Sequence, residues 1–232
     1  MSKPRQSNPL LELLINIVIP SIILMKFSGE QDLGVVGGLV LALAFPLGWG
    51  AFDLIGQRKI NFISVLGLVS ILLTGGIGLL QLDTRWLAVK EAAIPGLIGL
   101  AVLVSTRTRY PLVKTLLYTP ALIDVERVQQ QLDARGTARD FDRRLQNATC
   151  LLGGTFFFSA AMNYFLATWI VTSPAGSEAF NAELGRLTLL SYPMIALPSM
   201  LMMMAVLYYL ARAMHELAGL KLTEALNPGG GR

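Results

Sequence analysis

An all-α, polytopic membrane fold is predicted for this chain by its apolar composition, its long uncharged segments and the placement of its cations. Hydrophobic residues make up 53% of the 232 residues and charged residues only 15%, and the mean hydropathy is +0.57. These values are too apolar for an ordinary soluble domain. The apolar runs lack two-residue alternation, which indicates helices rather than the strands of a membrane barrel.

Six segments are long enough to cross a bilayer, because a hydrocarbon core of about 30 Å needs roughly 20 helical residues. We predict spans at about 9–27, 33–56, 62–82, 86–105, 148–171 and 187–210, within a single membrane domain covering residues 1–232. Prolines inside these spans should bend them, since each removes a backbone hydrogen bond; Pro46, Pro95, Pro193 and Pro198 are four of them.

The cations predict the orientation of the six spans. Short loops that face the cytoplasm are enriched in Lys and Arg. With the N-terminus inside, all but four of the 19 Lys and Arg residues lie on the inner face, and the exceptions are Lys26, Arg85, Lys90 and Arg186. We therefore expect both termini in the cytoplasm. The net charge of +4 follows from this rule, and it does not indicate nucleic-acid binding.

The cytoplasmic connecting segment 106–147 should contain an amphipathic helix between the fourth and fifth spans. Apolar residues recur at helical spacing among charged and amide residues, at Leu122, Val125, Val128 and Leu132. Gly136 is predicted to interrupt this helix. One interpretation places the helix on the membrane surface, where its basic ends contact anionic lipid. A binding site for a partner protein and a simple solvated connector are the alternatives.

Motifs of known chemistry are missing from the sequence. It has no P-loop, no H-E-x-x-H, no G-x-S-x-G and no paired C-x-x-C. Cys150 is the single cysteine and His215 the single histidine. We therefore predict no catalytic residues, no metal site and no cofactor.

Polar residues inside the spans are the candidate functional residues, because ionisable groups at membrane depth are costly and usually have a functional reason. Counting about 1.5 Å per helical residue separates them into two layers. The predicted inner polar cluster contains Glu12, Asn16 and Asp53, and the predicted outer polar cluster contains Lys26, Lys90, Glu91 and Asn163. Between the layers, Thr74 is the main polar side chain.

Two interpretations of these layers stay open. In the first, they are interfacial anchors: Lys26 and Lys90 extend outward to the head groups, and Glu12 pairs with a cation of the 58–59 loop. In the second, the outer cluster forms a polar pocket able to hold an anionic head group or a partner. Asn163 favours the second interpretation, because an amide well inside a span cannot easily reach water.

Several motifs along the chain carry a resemblance to a known family. Trp86 precedes Lys90 by one helical turn, and the stretch Lys90–Ser105 (KEAAIPGLIGLAVLVS) ends in Leu-Val-Ser before a Pro-Leu-Val at 111–113. Lys26 ends the first span, and Asn163 lies in the outer third of the fifth. With these motifs, residues 9–171 resemble the intracellular septation protein A family of bacterial inner-membrane proteins.

The resemblance implies a non-enzymatic protein of the bacterial inner membrane that supports cell-envelope maintenance or septation. Its partners would be the lipid bilayer and other envelope or division proteins, and homo-oligomerisation stays open. The membrane-embedded Lys90, Glu91 and Asn163 support a different class of function. In that alternative the chain is a small transporter or lipid-handling protein that uses the outer polar pocket.

Overall fold

The computed structural model describes residues 9–57, 62–108, 112–117 and 123–225, and every regular element within these ranges is a helix. Four helical stretches in the described part are long and apolar enough to cross a membrane: Gly34–Phe52, Arg85–Ser105, Ala138–Ile170 and Glu178–Ala218. A shorter apolar helix covers Val65–Leu79. The predicted all-helical class is therefore confirmed, and four helical stretches are candidate membrane spans by length and hydropathy.

The helices follow the order α1 (Pro9–Leu13), α2 (Ile19–Lys26), α3 (Gly34–Gln57), α4 (Phe62–Leu79), α5 (Arg85–Ser105), α6 (Leu112–Leu117), α7 (Val125–Arg135), α8 (Ala138–Ile170), α9 (Glu178–Ser191), α10 (Leu197–Ala218) and α11 (Leu222–Ala225). The turn Leu14–Val18 joins α1 to α2, and the turn Tyr192–Ala196 joins α9 to α10; both are π-helical.

Prolines accompany both π-helical turns. Pro20 follows the first turn, while Pro193 lies in the second and Pro198 just beyond it. A proline has no N–H to donate and its ring crowds the preceding helical turn, so the chain there adopts a wider turn. Pro46 and Pro95, by contrast, lie inside the uninterrupted helices α3 and α5.

The chain forms two compact units, and each has its own apolar core. The first unit contains Met1–Ala93 and Ala161–Ile195, and the second contains Ile94–Ala160 and Ala196–Arg232. In the core of the first unit, the largest fully buried side chains are Leu39, Leu87, Leu166 and Phe180. They come from α3, α5, α8 and α9, so four separate segments of the chain meet around this core.

Helix α9 begins at Glu178, well before the predicted span start at residue 187. The hydroxyl of Ser177 accepts a hydrogen bond from the backbone N–H of Phe180 at 3.1 Å and so caps the helix. Phe180, Leu184 and Leu187 follow at helical spacing and are buried. Residues 178–186, which the predicted spans 148–171 and 187–210 leave in a loop, are therefore helical and pack into the first unit.

The amphipathic helix of the connecting segment is α7, which Asp124 caps and Gly136 ends with a positive φ of 68°. Its apolar face belongs to the core of the second unit, where Val128 and Leu132 are buried with α10. That face is consequently covered by protein and is not available to lipid. The predicted Leu122 lies outside the described residues.

The basic ends of α7 also contact protein. Arg127 donates to the carbonyl oxygen of Glu224 at 3.4 Å, and the guanidinium of Arg135 lies against Gly219, at the end of α10. Both cations therefore hold the C-terminal segment of the second unit. The contact of the basic ends of segment 106–147 with anionic lipid stays a prediction.

Candidate ligand-binding cavity

The first unit contains a partly open cavity of about 530 Å³. This volume lies within the range of small-molecule binding sites. Most of its wall is apolar, and polar side chains are placed at intervals around it. The lining residues are Asn16, Pro20, Leu24, Ala42, Leu43, Pro46, Trp49, Gly50, Gly67, Leu68, Ser70, Ile71, Thr74, Lys90, Glu91, Asn163, Leu184, Leu187, Thr188 and Ser191.

Lys90 lies at the centre of a polar network on this wall. Its ammonium donates to Thr74 Oγ1 at 2.7 Å and to Ser70 Oγ at 3.2 Å. Its Nζ also lies 2.7 Å from Glu91 Oε1. An ammonium has three N–H donors, so these three acceptors satisfy it. The side chain of Lys90 is only 9% exposed, and it therefore does not extend to the head groups as the anchoring interpretation requires.

Helix α4 presents the two hydroxyls that receive Lys90. Ser70 and Thr74 are four residues apart and so lie on the same helical face. The Thr74 hydroxyl donates to the carbonyl oxygen of Ser70 at 3.1 Å. This bond uses its hydrogen, and the lone pairs of the oxygen are left to accept from Lys90.

Glu91 supplies the negative charge that balances Lys90. One carboxylate oxygen, Oε1, takes part in the ion pair, and the side chain is 30% exposed. No described residue donates a hydrogen bond to its second oxygen, Oε2. The pair carries no net charge, while one carboxylate oxygen on the cavity wall keeps its capacity to accept.

Two hydroxyls on α9 face the same cavity. Thr188 Oγ1 donates to the Leu184 carbonyl at 2.9 Å, and Ser191 Oγ donates to the Leu187 carbonyl at 2.7 Å. Both hydrogens are used within the helix, and the oxygens are left as acceptors. Sequence reasoning missed these hydroxyls and also missed Ser70 and Trp49. Ser70 lies one helical turn from Thr74, and Trp49 lies one turn from Asp53; this spacing was the signal that could have found these two residues.

The structure regroups the residues that the sequence placed in two layers. Lys90, Glu91 and Asn163 from the predicted outer cluster line the cavity, and so does Asn16 from the predicted inner cluster. Lys26 is exposed at the end of α2 and Glu12 is half-buried; neither lines the cavity. Asp53 lies on α3, but its side chain is outside the described residues.

Within the described residues, no three His, Cys, Asp or Glu side chains converge as a metal site would require. The cavity wall is mostly apolar and carries hydroxyl, amide, ammonium and carboxylate groups. Such a wall can position a ligand with a polar end and an apolar body, as small-molecule sites do.

Comparisons with known proteins give no match for this chain among family models, curated proteins or solved structures. Membership of the septation protein A family stays a prediction. The same holds for a role in envelope maintenance and for partners among the division proteins.

Proposed function

We propose that this chain is a six-span protein of the bacterial inner membrane that binds a small amphiphile in the cavity and carries it through the membrane or between membranes. The observation that carries the proposal is the Lys90 network on the cavity wall. An ion pair inside a membrane protein is expensive to desolvate, and apolar residues could replace it without loss of stability. A binding role explains why it lies at a cavity.

Two further crossings complete the proposed six. The stretch α1–α2, with its π-helical turn, and the helix α4 each contain 18 residues, so each is about 27 Å long. That length nearly matches a hydrocarbon core of about 30 Å. Together with the four longer stretches they return the chain to its starting side, as the distribution of Lys and Arg requires.

The depth of the cavity supports a transport or exchange role. Counting inward from the end of α4 at Leu79, Thr74 lies about 8 Å and Ser70 about 14 Å deep. Ser191 lies about 20 Å along α9 from Glu178. The polar groups thus extend to mid-membrane, where secondary transporters gather their ligands on irregular helices. Asn16 lies in one π-helical turn, and Ser191 directly precedes the other.

Exchange assays in proteoliposomes test the function. We expect the wild-type chain to accelerate transfer of a fluorescent monoacylglycerol between vesicles, or uptake of radiolabelled 2-phenylethylamine. We expect Lys90→Ala to reduce the rate at least tenfold, because it removes the ion that organises the wall (about 1.4 kcal/mol per factor of ten). Lys26→Ala, at an exposed position away from the cavity, is the matched control. Negligible transfer by the wild type with both probes would contradict the proposal.

Reporter fusions test the proposed topology. Alkaline phosphatase and green fluorescent protein joined after residue 125, or at the carboxyl terminus, should report the cytoplasm, since the basic segments lie on that side. Fusions after residue 30 or residue 174 should report the periplasm. A periplasmic signal at residue 125 would rule out the six-span arrangement, while leaving the cavity itself in place.

A further inference from the structure

The geometry of the cavity points to a particular class of ligand. We infer that it selects amphiphiles whose polar end donates hydrogen bonds and carries no negative charge. This inference rests on the proposed function and deepens it. It also reverses the sequence-based hypothesis of a pocket for an anionic head group.

An anion site in this cavity would depend on Lys90, but the hydrogen-bond donors of its ammonium group are already used. Thr74, Ser70 and Glu91 take its three N–H donors. An anionic ligand would have to displace the Glu91 carboxylate, which lies 2.7 Å from the ammonium, and would leave that carboxylate unpaired in an apolar cavity. Because an unpaired buried charge is strongly unfavourable, such an exchange is not expected.

The strongest hydrogen-bonding group that keeps its capacity on the cavity wall is a charged acceptor. Glu91 Oε2 has no donor among the described residues, and the hydroxyls of Thr188 and Ser191 have already donated to their own helix. The amide of Asn16 can both donate and accept, the Ser70 hydroxyl keeps its hydrogen, and the Trp49 indole has an N–H donor, but none of these groups carries a charge. The balance therefore favours a ligand that donates, such as a hydroxyl or a protonated amine.

The remainder of the wall suits an apolar or aromatic body. Leu43, Leu68 and Leu184 line the cavity together with Trp49. The indole also provides a face that attracts cations. A molecule with one donor group on a small apolar frame would place each of its parts against a matching wall.

Four probes with the same phenyl frame test the inference: 2-phenylethylamine, 2-phenylethanol, 2-phenylethyl methyl ether and phenylacetate. Binding is followed by the fluorescence of Trp49 in full-length protein carrying Trp86→Phe and Trp169→Phe, two substitutions at exposed positions. The same protein with Trp49→Phe is the blank. The amine and the alcohol should bind at least about tenfold more tightly than the ether and the carboxylate, since a hydrogen bond to a charged acceptor is strong.

Variants then locate the preference. The double substitution Lys90→Met with Glu91→Met should bring the four dissociation constants within about threefold of one another, because the charged acceptor is gone. Thr188→Val keeps the side-chain shape and removes one acceptor. It should reduce the ratio between the dissociation constants of the ether and the alcohol without bringing that ratio to one. An unchanged preference in both variants would overturn the assignment to these acceptors.

The probe series also separates this inference from the proposed function. Tightest binding of phenylacetate, or equal binding of the ether and the alcohol, would overturn donor selection while the cavity still binds amphiphiles. No response of Trp49 to any of the four probes would contradict the proposed function as well.

Discussion

Glu91→Leu is expected to lower the free energy of unfolding by about 1–3 kcal/mol, less than the ~3–5 kcal/mol for removing one partner of a fully buried ion pair, because the Glu91 side chain is 30% exposed. The substitution leaves the Lys90 ammonium, which is only 9% exposed, with the hydroxyls of Ser70 and Thr74 but no negative charge. The difference in free energy of unfolding between variant and wild type can be measured on detergent-solubilised protein. Unfolding in increasing concentrations of sodium dodecyl sulfate is followed by circular dichroism.

A double-mutant cycle provides the control. The combination of Lys90→Met with Glu91→Leu should be close to wild type in stability, because apolar residues of similar volume can replace a buried pair. The free energy of unfolding of Glu91→Gln should lie between those of the wild type and Glu91→Leu, since its amide oxygen still accepts a hydrogen bond from Lys90. Equal losses in the single and double variants would show that the side-chain volume at 91, and not the charge of Lys90, determines stability there.

The helices in the first half of the chain were predictable because most of their residues are apolar. The predicted spans 33–56 and 86–105 correspond closely to α3 (Gly34–Gln57) and α5 (Arg85–Ser105). Long apolar runs have few alternatives to a helix in lipid, because every backbone polar group must find a partner within the segment. Hydropathy therefore places these helices to within a few residues.

The start of α9 could not be found in this way, because polar residues lower its hydropathy. Asn181 is an example: it is fully buried, and its amide donates to Ser28 Oγ at 2.9 Å and to the Val35 carbonyl at 2.8 Å. The partners are far away in the sequence. A buried amide whose N–H donors are used in tertiary contacts looks like a loop residue until the fold is known.

Only part of the candidate site could be predicted, because only some of its polar residues are unusual in an apolar span. Lys90, Glu91 and Asn163 stand out because charges and amides are rare in apolar spans. Thr188 and Ser191 do not, since hydroxyls that donate to their own helix are ordinary in membrane segments. Asn16 was assigned to another layer because depth along one helix says nothing about which neighbour the side chain meets.

Gly185→Ala is expected to destabilise the protein by about 1–3 kcal/mol, the usual cost of overpacking. A Cβ at this position would lie 2.8 Å from the carbonyl oxygen of Ser21 and 2.8 Å from Cγ of Met25. Small residues allow membrane helices to approach closely, and here α9 approaches α2 at its backbone. Because a backbone oxygen cannot move aside easily, the helices must separate.

Gly154→Ala on α8 is the matched control, because nothing lies within 4 Å of a Cβ built there. It should stabilise the protein by up to about 1 kcal/mol, since alanine is the better helix former. The two substitutions are chemically identical and are expected to change the free energy of unfolding in opposite directions.

Helices α2 and α9 both contribute to the cavity wall, with Leu24 on α2 and Leu184 on α9. Gly185→Ala should therefore also weaken binding of 2-phenylethanol; a stable Gly185→Ala protein with wild-type affinity would show that the close α2–α9 contact does not shape the cavity.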